Sequence, residues 1–221
     1  MLYEMQASSV DEFINLKTLW ANSEFFGFAF GKCCVKLKAR PNRSFLFTHF
    51  LSYTMEKVST KEAFNKFKPE SCVFVISIDE NRKPSGMIAG WNMKCSMEPP
   101  LFAVSLSKKG YTHKLIQQSK EFVIAVPNKE LKEAVLLFSS THGNEVDKFA
   151  ESKIETAKPE FVKSPLIKNA TINFECKLFK EVDSGDHIIF IGKILASYIN
   201  RDKKVLLNMK KVDGKRVFEE F

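Results

Sequence analysis

The sequence predicts a β-rich α+β fold, an antiparallel barrel with helices on its outside. Three observations support this prediction. Short apolar runs rich in β-branched residues recur from residue 71 onward. Most of these runs are joined by short turn-rich segments, which are typical of antiparallel pairing. Helical patterns lie between some of the runs, and the chain contains no Gly-x-Gly, so a doubly wound dinucleotide-binding sheet is disfavoured.

The elements follow from local patterns. Either Ser59 or Thr60 is suited to cap a short helix that runs through Lys66. Three apolar runs are predicted to be strands, at residues 72–78, 101–107 and 121–126. Two segments have the pattern of helices, at residues 112–119 and 128–138, and Asn128 is the predicted cap of the second.

The clearest strand covers residues 172–178, where apolar and polar side chains alternate strictly. A turn at 183–186 leads to a second strand over 187–198, so the two strands form a long hairpin. Residues 79–86 are rich in turn formers and are predicted to be a loop.

The first 54 residues differ from the rest of the chain. They hold eight phenylalanines and show no sustained period of two or of 3.6 residues. A domain over residues 55–221 and an N-terminal extension over 1–54 are therefore predicted. Two interpretations of the extension stay open: the natural start is Met55, or the extension is an appendage that packs its phenylalanines on the barrel or on a partner subunit.

Composition excludes several classes of protein. The 221 residues carry a net charge of +8, but the lysines are scattered and no nucleic-acid-binding motif accompanies them. The five cysteines lack the spacing of a zinc site or of a disulfide framework, so reduced thiols and a cytoplasmic location are expected and no metal site is predicted. No segment has the ~20 apolar residues of a membrane span.

The most informative segment covers residues 85–100. Small and hydroxylated residues lie beside Trp91, and Pro99-Pro100 then precedes an apolar strand. Small residues let a ligand approach the backbone closely, and an aromatic side chain provides a flat contact surface. On composition alone, however, a tryptophan in a β-rich protein is more often a core residue.

This segment resembles that of the flavoredoxin and flavin reductase-like family, whose members are FMN-binding split β-barrels with a similar tryptophan and Pro-Pro. The resemblance runs from about Lys68 to the C-terminus. It implies a split barrel that binds FMN, with Trp91 against the flavin ring and with Met87, Ala89 and Gly90 among the cofactor-binding residues.

The resemblance also implies that Thr112 contacts the phosphate or the ribityl chain, and that Lys148 holds the phosphate or stabilises the anion of reduced flavin. Thr112 follows Gly110-Tyr111 at the start of a predicted helix, where free N–H groups favour an anion. Lys148 lies in an Asp-Lys-Phe sequence similar to that of the family's FMN-binding lysine; without the resemblance it is read as a surface lysine. Ser85 stands where the family commonly has asparagine, so its contact with the cofactor is expected to be weak or water-mediated.

Two further positions come from the resemblance. A C-terminal phenylalanine approaches the flavin in such proteins, and Phe218 is preferred here over Phe221. His187 in Gly-Asp-His resembles a motif of flavin reductases and is the catalytic candidate for the nicotinamide or proton side of the site, although a histidine at a hairpin corner is more often structural.

The resemblance implies one of two functions. The protein is either a reductase that passes electrons from NAD(P)H to flavin, ferric iron or another acceptor, or a flavoredoxin-type carrier that exchanges electrons with a redox protein partner. A basic nucleic-acid-binding barrel is a distant alternative. A homodimer is also expected, with apolar interface candidates at Phe149, Phe161 and Phe179.

Overall fold

The computed structural model describes residues 55–212 and 215–221, together with the backbone of two strands near the N-terminus. The strands are β1 (Phe25–Phe30), β2 (Cys33–Lys38), β3 (Glu70–Ser71), β4 (Val73–Ile78), β5 (Pro84–Ala89), β6 (Asn92–Met97), β7 (Pro100–Ser107), β8 (Glu121–Val126), β9 (Thr156–Ala157), β10 (Leu166–Ile167), β11 (Ile172–Ser184), β12 (His187–Ile199), β13 (Leu206–Val212) and β14 (Lys215–Glu220). The helices are α1 (Thr60–Lys66), α2 (Tyr111–Ser119), α3 (Lys132–Ser140) and α4 (Lys148–Ser152). None of the helices in these described ranges is long and apolar enough to cross a membrane.

The chain divides into two units at Lys57 and Val58. The first contains the antiparallel hairpin of β1 and β2. The rest of the predicted N-terminal extension lies outside the described residues, so the boundary at Met55 stays a prediction. All the features below belong to the second unit.

A seven-stranded antiparallel sheet forms the centre of the second unit, in the order β5-β4-β8-β11-β12-β7-β6. A three-stranded sheet of β14, β13 and β3 accompanies it. The two edge strands of the large sheet, β5 and β6, are joined by Gly90 and Trp91 alone, and β5 also contacts β7. The sheet therefore curls until its edges approach each other, and the predicted β-rich antiparallel fold is confirmed.

Most predicted elements are observed within one or two residues of the expected bounds. Ser59 caps α1 by accepting a hydrogen bond from the Glu62 N–H at 3.2 Å. Asn128 caps a 3₁₀ turn (Lys129–Leu131) that leads directly into α3. The long hairpin of β11 and β12 turns at Gly185, whose φ of +86° is readily adopted by glycine.

One predicted loop is partly wrong. Residues 79–86 do not all form a loop, because β5 begins at Pro84 and pairs with β4. The Asp79 carboxylate accepts hydrogen bonds from the N–H groups of Asn81 and Lys83 at 2.9 and 2.8 Å. This tight turn leaves the following residues free to pair, so the ligand-site segment starts on an edge strand.

The core lies on both faces of the sheet. In β4 all six side chains are buried; Phe74 and Ile76 belong to one apolar cluster, whereas Val73 and Val75 belong to the other. Phe149 packs against the first cluster and contacts the Phe138 ring, so it is partly buried, and its place at a dimer interface stays a prediction.

The polar face of β11 is more buried than its alternating sequence pattern indicates. Glu175 and Asn173, expected on a solvent face, are buried. The segment around residues 160–167 covers that face: the Glu175 carboxylate accepts hydrogen bonds from three consecutive N–H groups at 2.6–2.9 Å, and Asn173 pairs with the backbone of Ile167. The segment that precedes β11 in the chain thus satisfies these polar groups.

Candidate functional site

The β5–β6 turn presents Trp91 at the surface. The Asn92 side-chain amide donates to the carbonyl oxygens of Ala89 and Gly90 at 3.0 and 3.1 Å, which closes the turn. The Ser105 N–H donates to the Trp91 carbonyl oxygen at 2.9 Å and holds the same residue against β7. The indole is half exposed, so this tryptophan is not a core residue.

Two aromatic side chains contact Trp91. The His187 ring lies 4.7 Å from the indole, centroid to centroid, and is tilted by 36°. The Phe64 ring approaches it edge-on at 6.0 Å. The Asp186 carboxylate lies 2.7 Å from His187 Nδ1, so one imidazole nitrogen is engaged and Nε2 faces away from this carboxylate. The structure therefore brings together the predicted ring contact and the predicted catalytic histidine.

The start of α2 lies close to the same end of β7. Gly110 donates its N–H to the Ser107 carbonyl oxygen at 2.9 Å, and Ser107 pairs with His187 across β7 and β12. No side chain caps α2, so the first-turn N–H groups have no side-chain acceptor at the N-cap. Thr112, in this first turn, is buried.

Glycines allow three segments to meet at β5. A β-carbon on Gly110 would lie 3.8 Å from Met87 Sδ, which places the start of α2 beside β5. A β-carbon on Gly143 would collide with Ser85 Oγ and would approach the Tyr111 ring to 3.3 Å. The segment between α3 and α4 therefore lies over both Ser85 and the first turn of α2.

Lys148 is buried beneath this junction, with 3% of its surface exposed. Its ammonium group donates hydrogen bonds to the carbonyl oxygens of Gly86 and Phe138, both at 3.0 Å, and lies 5.5 Å from the Phe138 ring centre. Burial lowers its pKa to about 8. No carboxylate among the described residues pairs with it, because neighbouring Asp147 pairs with Lys83 instead. The interpretation of Lys148 as a surface lysine is therefore wrong.

The remaining predicted positions are placed differently. Ala89 is buried. Gly90 is in the turn and lies next to the Glu70 carboxylate. Phe218 is buried in the first apolar cluster, whereas Phe221 is almost fully exposed. Neither phenylalanine is linked to the turn by a described contact, so their approach to a flavin stays a prediction.

Sequence reasoning missed four contributors to this site. Asn92 lies within residues 85–100, but its role in closing the turn depends on carbonyl groups that only the folded chain brings together. Asp186 precedes the catalytic candidate, and its contact with His187 is local. Phe64 and Gly143 are distant in sequence from Trp91 and Ser85, and no sequence pattern indicated their contacts.

The arrangement combines a buried cation with an exposed aromatic surface. The Lys148 ammonium group lies beside the middle of β5 and the uncapped start of α2 lies beside Met87, whereas the half-exposed indole and the imidazole lie beyond the end of the strand. An elongated ligand with a phosphate and a flat ring system matches this separation of charge and apolar surface.

Comparisons with known proteins agree with this chemistry. A family model described as "Flavin reductase like domain" matches residues 68–214. An uncharacterized protein of Archaeoglobus fulgidus is 38% identical over 113 residues, which are 51% of this chain and 64% of that protein, so the match spans slightly less than two thirds of that relative. A ferric-chelate reductase (NAD(P)H) of the same organism is 28% identical over 147 residues, which are 66% of this chain and 84% of that protein. The solved structure of a flavoredoxin from Methanosarcina acetivorans has a TM-score of 0.66 at 19% identity and covers 76% of this chain and 91% of its own, which shows the fold alone.

Proposed function

The chain belongs to the flavin reductase-like family, and from that premise we propose that it binds FMN and transfers electrons from NAD(P)H to flavin or another acceptor. The family and its redox-active relatives support a flavin-related redox function. The choice of FMN, the use of NAD(P)H and the residue roles below are parts of the proposal.

Lys148 is the observation that carries the proposal. A buried cation is costly unless an anion compensates for it, and no described carboxylate does so. An ammonium group has three N–H donors, and the two carbonyl oxygens of Gly86 and Phe138 use two of them. The third donor and the uncompensated charge suit a ligand phosphate.

The proposed contacts with the rest of the cofactor involve α2, Ser85 and the remainder of β5. The first turn of α2, with Thr112, offers further donors to the phosphate. Ser85 lies beneath Gly143 and adds a hydroxyl near the same end. Met87, Ala89, Gly90 and Trp91 follow along β5 and its turn toward the ring of the cofactor.

A flavin held by these residues would supply the redox chemistry, with NAD(P)H as the electron donor. The protein binds and orients the two reactants. Asp186 holds His187 through Nδ1, and the imidazole lies against Trp91, so its Nε2 is available for a hydrogen bond on the nicotinamide side.

We extend the proposal to the split-barrel form of the fold. The short link between the edge strands and the contact between β5 and β7 support closure of the large sheet. Helices α2, α3 and α4 all pack against β5 and lie outside the sheet, as expected for peripheral helices.

A flavoredoxin-type electron carrier is the second candidate. The observation that favours it is the exposed apolar surface of β6, where Met93 and Met97 follow Trp91 and are 59% and 85% exposed. Exposed apolar surface beside a redox site is suited to transient contact with a protein partner.

The absorbance spectrum of the purified protein tests flavin binding. The proposal expects a yellow protein, and chromatography of the released cofactor then distinguishes FMN from FAD. A colourless protein that also fails to quench the fluorescence of added FMN would contradict the proposal.

A further inference from the structure

A groove of about 420 Å³ lies between α1 and the β5–β6 turn. Its walls include Phe64 and Phe67 from the end of α1, and Trp91 from the turn. Pro69 and the Glu70 carboxylate also line it. Its size and its mixture of aromatic surface with one charged group are typical of a small-molecule site.

The aromatic side chains that line the groove do not belong to the apolar core. Helix α1 buries none of its residues, so Phe64 is not anchored in either apolar cluster. Phe64 and Phe67 are 58% and 83% exposed, and Trp91 is 50% exposed. Because Phe64 meets the indole edge-on, the two rings leave open faces on which a flat ligand can stack.

Glu70 brings a fixed carboxylate to the same groove. Its Oε1 accepts a hydrogen bond from the Asn208 amide at 2.7 Å and pairs with Lys68. Its Oε2 accepts no hydrogen bond from the residues that the structure describes. A β-carbon on Gly90 would lie 3.1 Å from Oε1, so the carboxylate lies directly against the turn. One oxygen is therefore held in place while the other retains its acceptor capacity.

We propose that this groove binds a planar aromatic cation, with the ring against Phe64 and Trp91 and an N–H donor directed at Glu70 Oε2. Aromatic faces attract cations, and an amidinium or aromatic ammonium group complements a carboxylate. An anionic aromatic ligand of the same shape is disfavoured, because Glu70 lines the groove and offers Oε2 as an acceptor, whereas Lys68, which pairs with Oε1, is not among the lining residues that the structure describes. The site goes beyond the proposed flavin function and has the opposite charge preference from the phosphate end at Lys148.

Benzamidine and benzoate are matched probes, because they have similar shape and opposite charge. We expect saturable binding of benzamidine to the full-length, flavin-loaded protein in a ligand-observed NMR titration, and no comparable binding of benzoate. Phe64→Ala should weaken benzamidine binding about fivefold or more. Ile199→Ala, which truncates an apolar side chain of similar exposure on β12, should leave it unchanged and is the control.

A second variant tests the charge. Glu70→Gln keeps the shape of the side chain but removes its charge, so benzamidine should lose its advantage over benzoate. If this variant fails to fold in a thermal melt, the Phe64→Ala comparison still decides the outcome, since that side chain is largely exposed. Equal binding of the two probes to the unsubstituted protein, or unchanged binding to Phe64→Ala, would overturn the proposal.

Flavin content is measured in the same samples. Binding of benzamidine with the flavin absorbance retained supports a separate site. Stoichiometric release of flavin by benzamidine would show that the groove is the flavin ring's own site, which contradicts this inference while leaving the flavin function intact.

Discussion

The ammonium nitrogen of Lys148 lies 3.0 Å from the carbonyl oxygen of Gly86, so a buried cation ties α4 to the middle of β5. The same group reaches the Phe138 carbonyl oxygen in α3, near the negative end of that helix. One side chain therefore joins three elements that border the proposed phosphate site.

The first prediction concerns the pH dependence of stability. Burial lowers the Lys148 pKa from 10.5 to about 8, so between these pH values the unfolded chain binds more protons than the folded one. The contribution of Lys148 to stability is present above pH 10.5 and is lost as the pH falls through 8. The flavin-free protein should therefore gain up to about 3 kcal/mol, relative to Lys148→Met, as the pH rises through this window.

Urea unfolding at pH 7.5 and pH 10 measures this difference. Lys158→Met removes an exposed lysine and should follow the unsubstituted protein at both pH values. A stability difference between the protein and Lys148→Met that does not change with pH would refute the prediction.

The second prediction concerns flavin affinity. Lys148→Met should weaken FMN binding at neutral pH by about 1.5–3 kcal/mol, because a charge-assisted contact to phosphate is lost. Titration by flavin fluorescence quenching measures the dissociation constant, with Lys158→Met again as the control. An unchanged constant in a folded Lys148→Met variant would restrict Lys148 to joining β5 and the helices.

The third prediction concerns Glu175. Burial by itself raises the pKa of this carboxyl, but hydrogen bonds from the Glu160 N–H, the Tyr198 hydroxyl and two further N–H groups outweigh burial and lower the pKa. Its contribution to stability is therefore present above the unfolded pKa and is lost as the pH falls through the folded one. Glu175→Gln should cost about 2–3 kcal/mol at pH 7 and should flatten the acid side of the stability profile.

Thermal unfolding between pH 7 and pH 3 measures the effect, because the loss begins near the ordinary pKa of 4.5 and continues below it. Glu151→Gln alters an exposed carboxylate on α4 and is the matched control. If Glu175→Gln unfolds at the same temperature as the unsubstituted protein throughout this range, the carboxylate does not stabilise the segment that covers β11.

The fourth prediction separates the two candidate functions. A reductase should show rapid loss of the flavin absorbance band, within seconds, when NADH or NADPH is added anaerobically at millimolar concentration. His187→Ala should lower the rate of this reduction by a larger factor than it raises the dissociation constant of FMN, because His187 is proposed to act on the nicotinamide side. An oxidised spectrum that persists for many minutes, followed by reduction with dithionite, would instead identify a carrier.

The fifth prediction concerns assembly. Phe161 and Phe179 are both 56% exposed. We expect a second copy to cover these side chains, so light scattering at micromolar concentration should give the mass of a dimer. A monomeric mass would contradict the prediction.

Local chemistry accounts for the parts of the fold that could be predicted from the sequence. Ser59 and Asn128 accept hydrogen bonds from the N–H groups of the turns that follow them, so the starts of two helical segments are determined locally. Gly185 also acts locally, because its positive φ allows the turn between β11 and β12. The segment around Trp91 carried enough of its family's pattern to indicate a flavin-related site.

The tertiary structure decided features that depend on hydrogen-bond partners from other segments of the chain. Alternation in β11 placed Glu175 on a polar face, but that face is buried because the segment around residue 161 supplies donors to the carboxylate. Lys148 has the sequence context of a surface lysine, yet the carbonyl oxygens of Gly86 and Phe138 make its burial feasible. Periodicity reports which side chains share a face, whereas burial of a charge depends on hydrogen-bond partners that only the folded chain brings within reach.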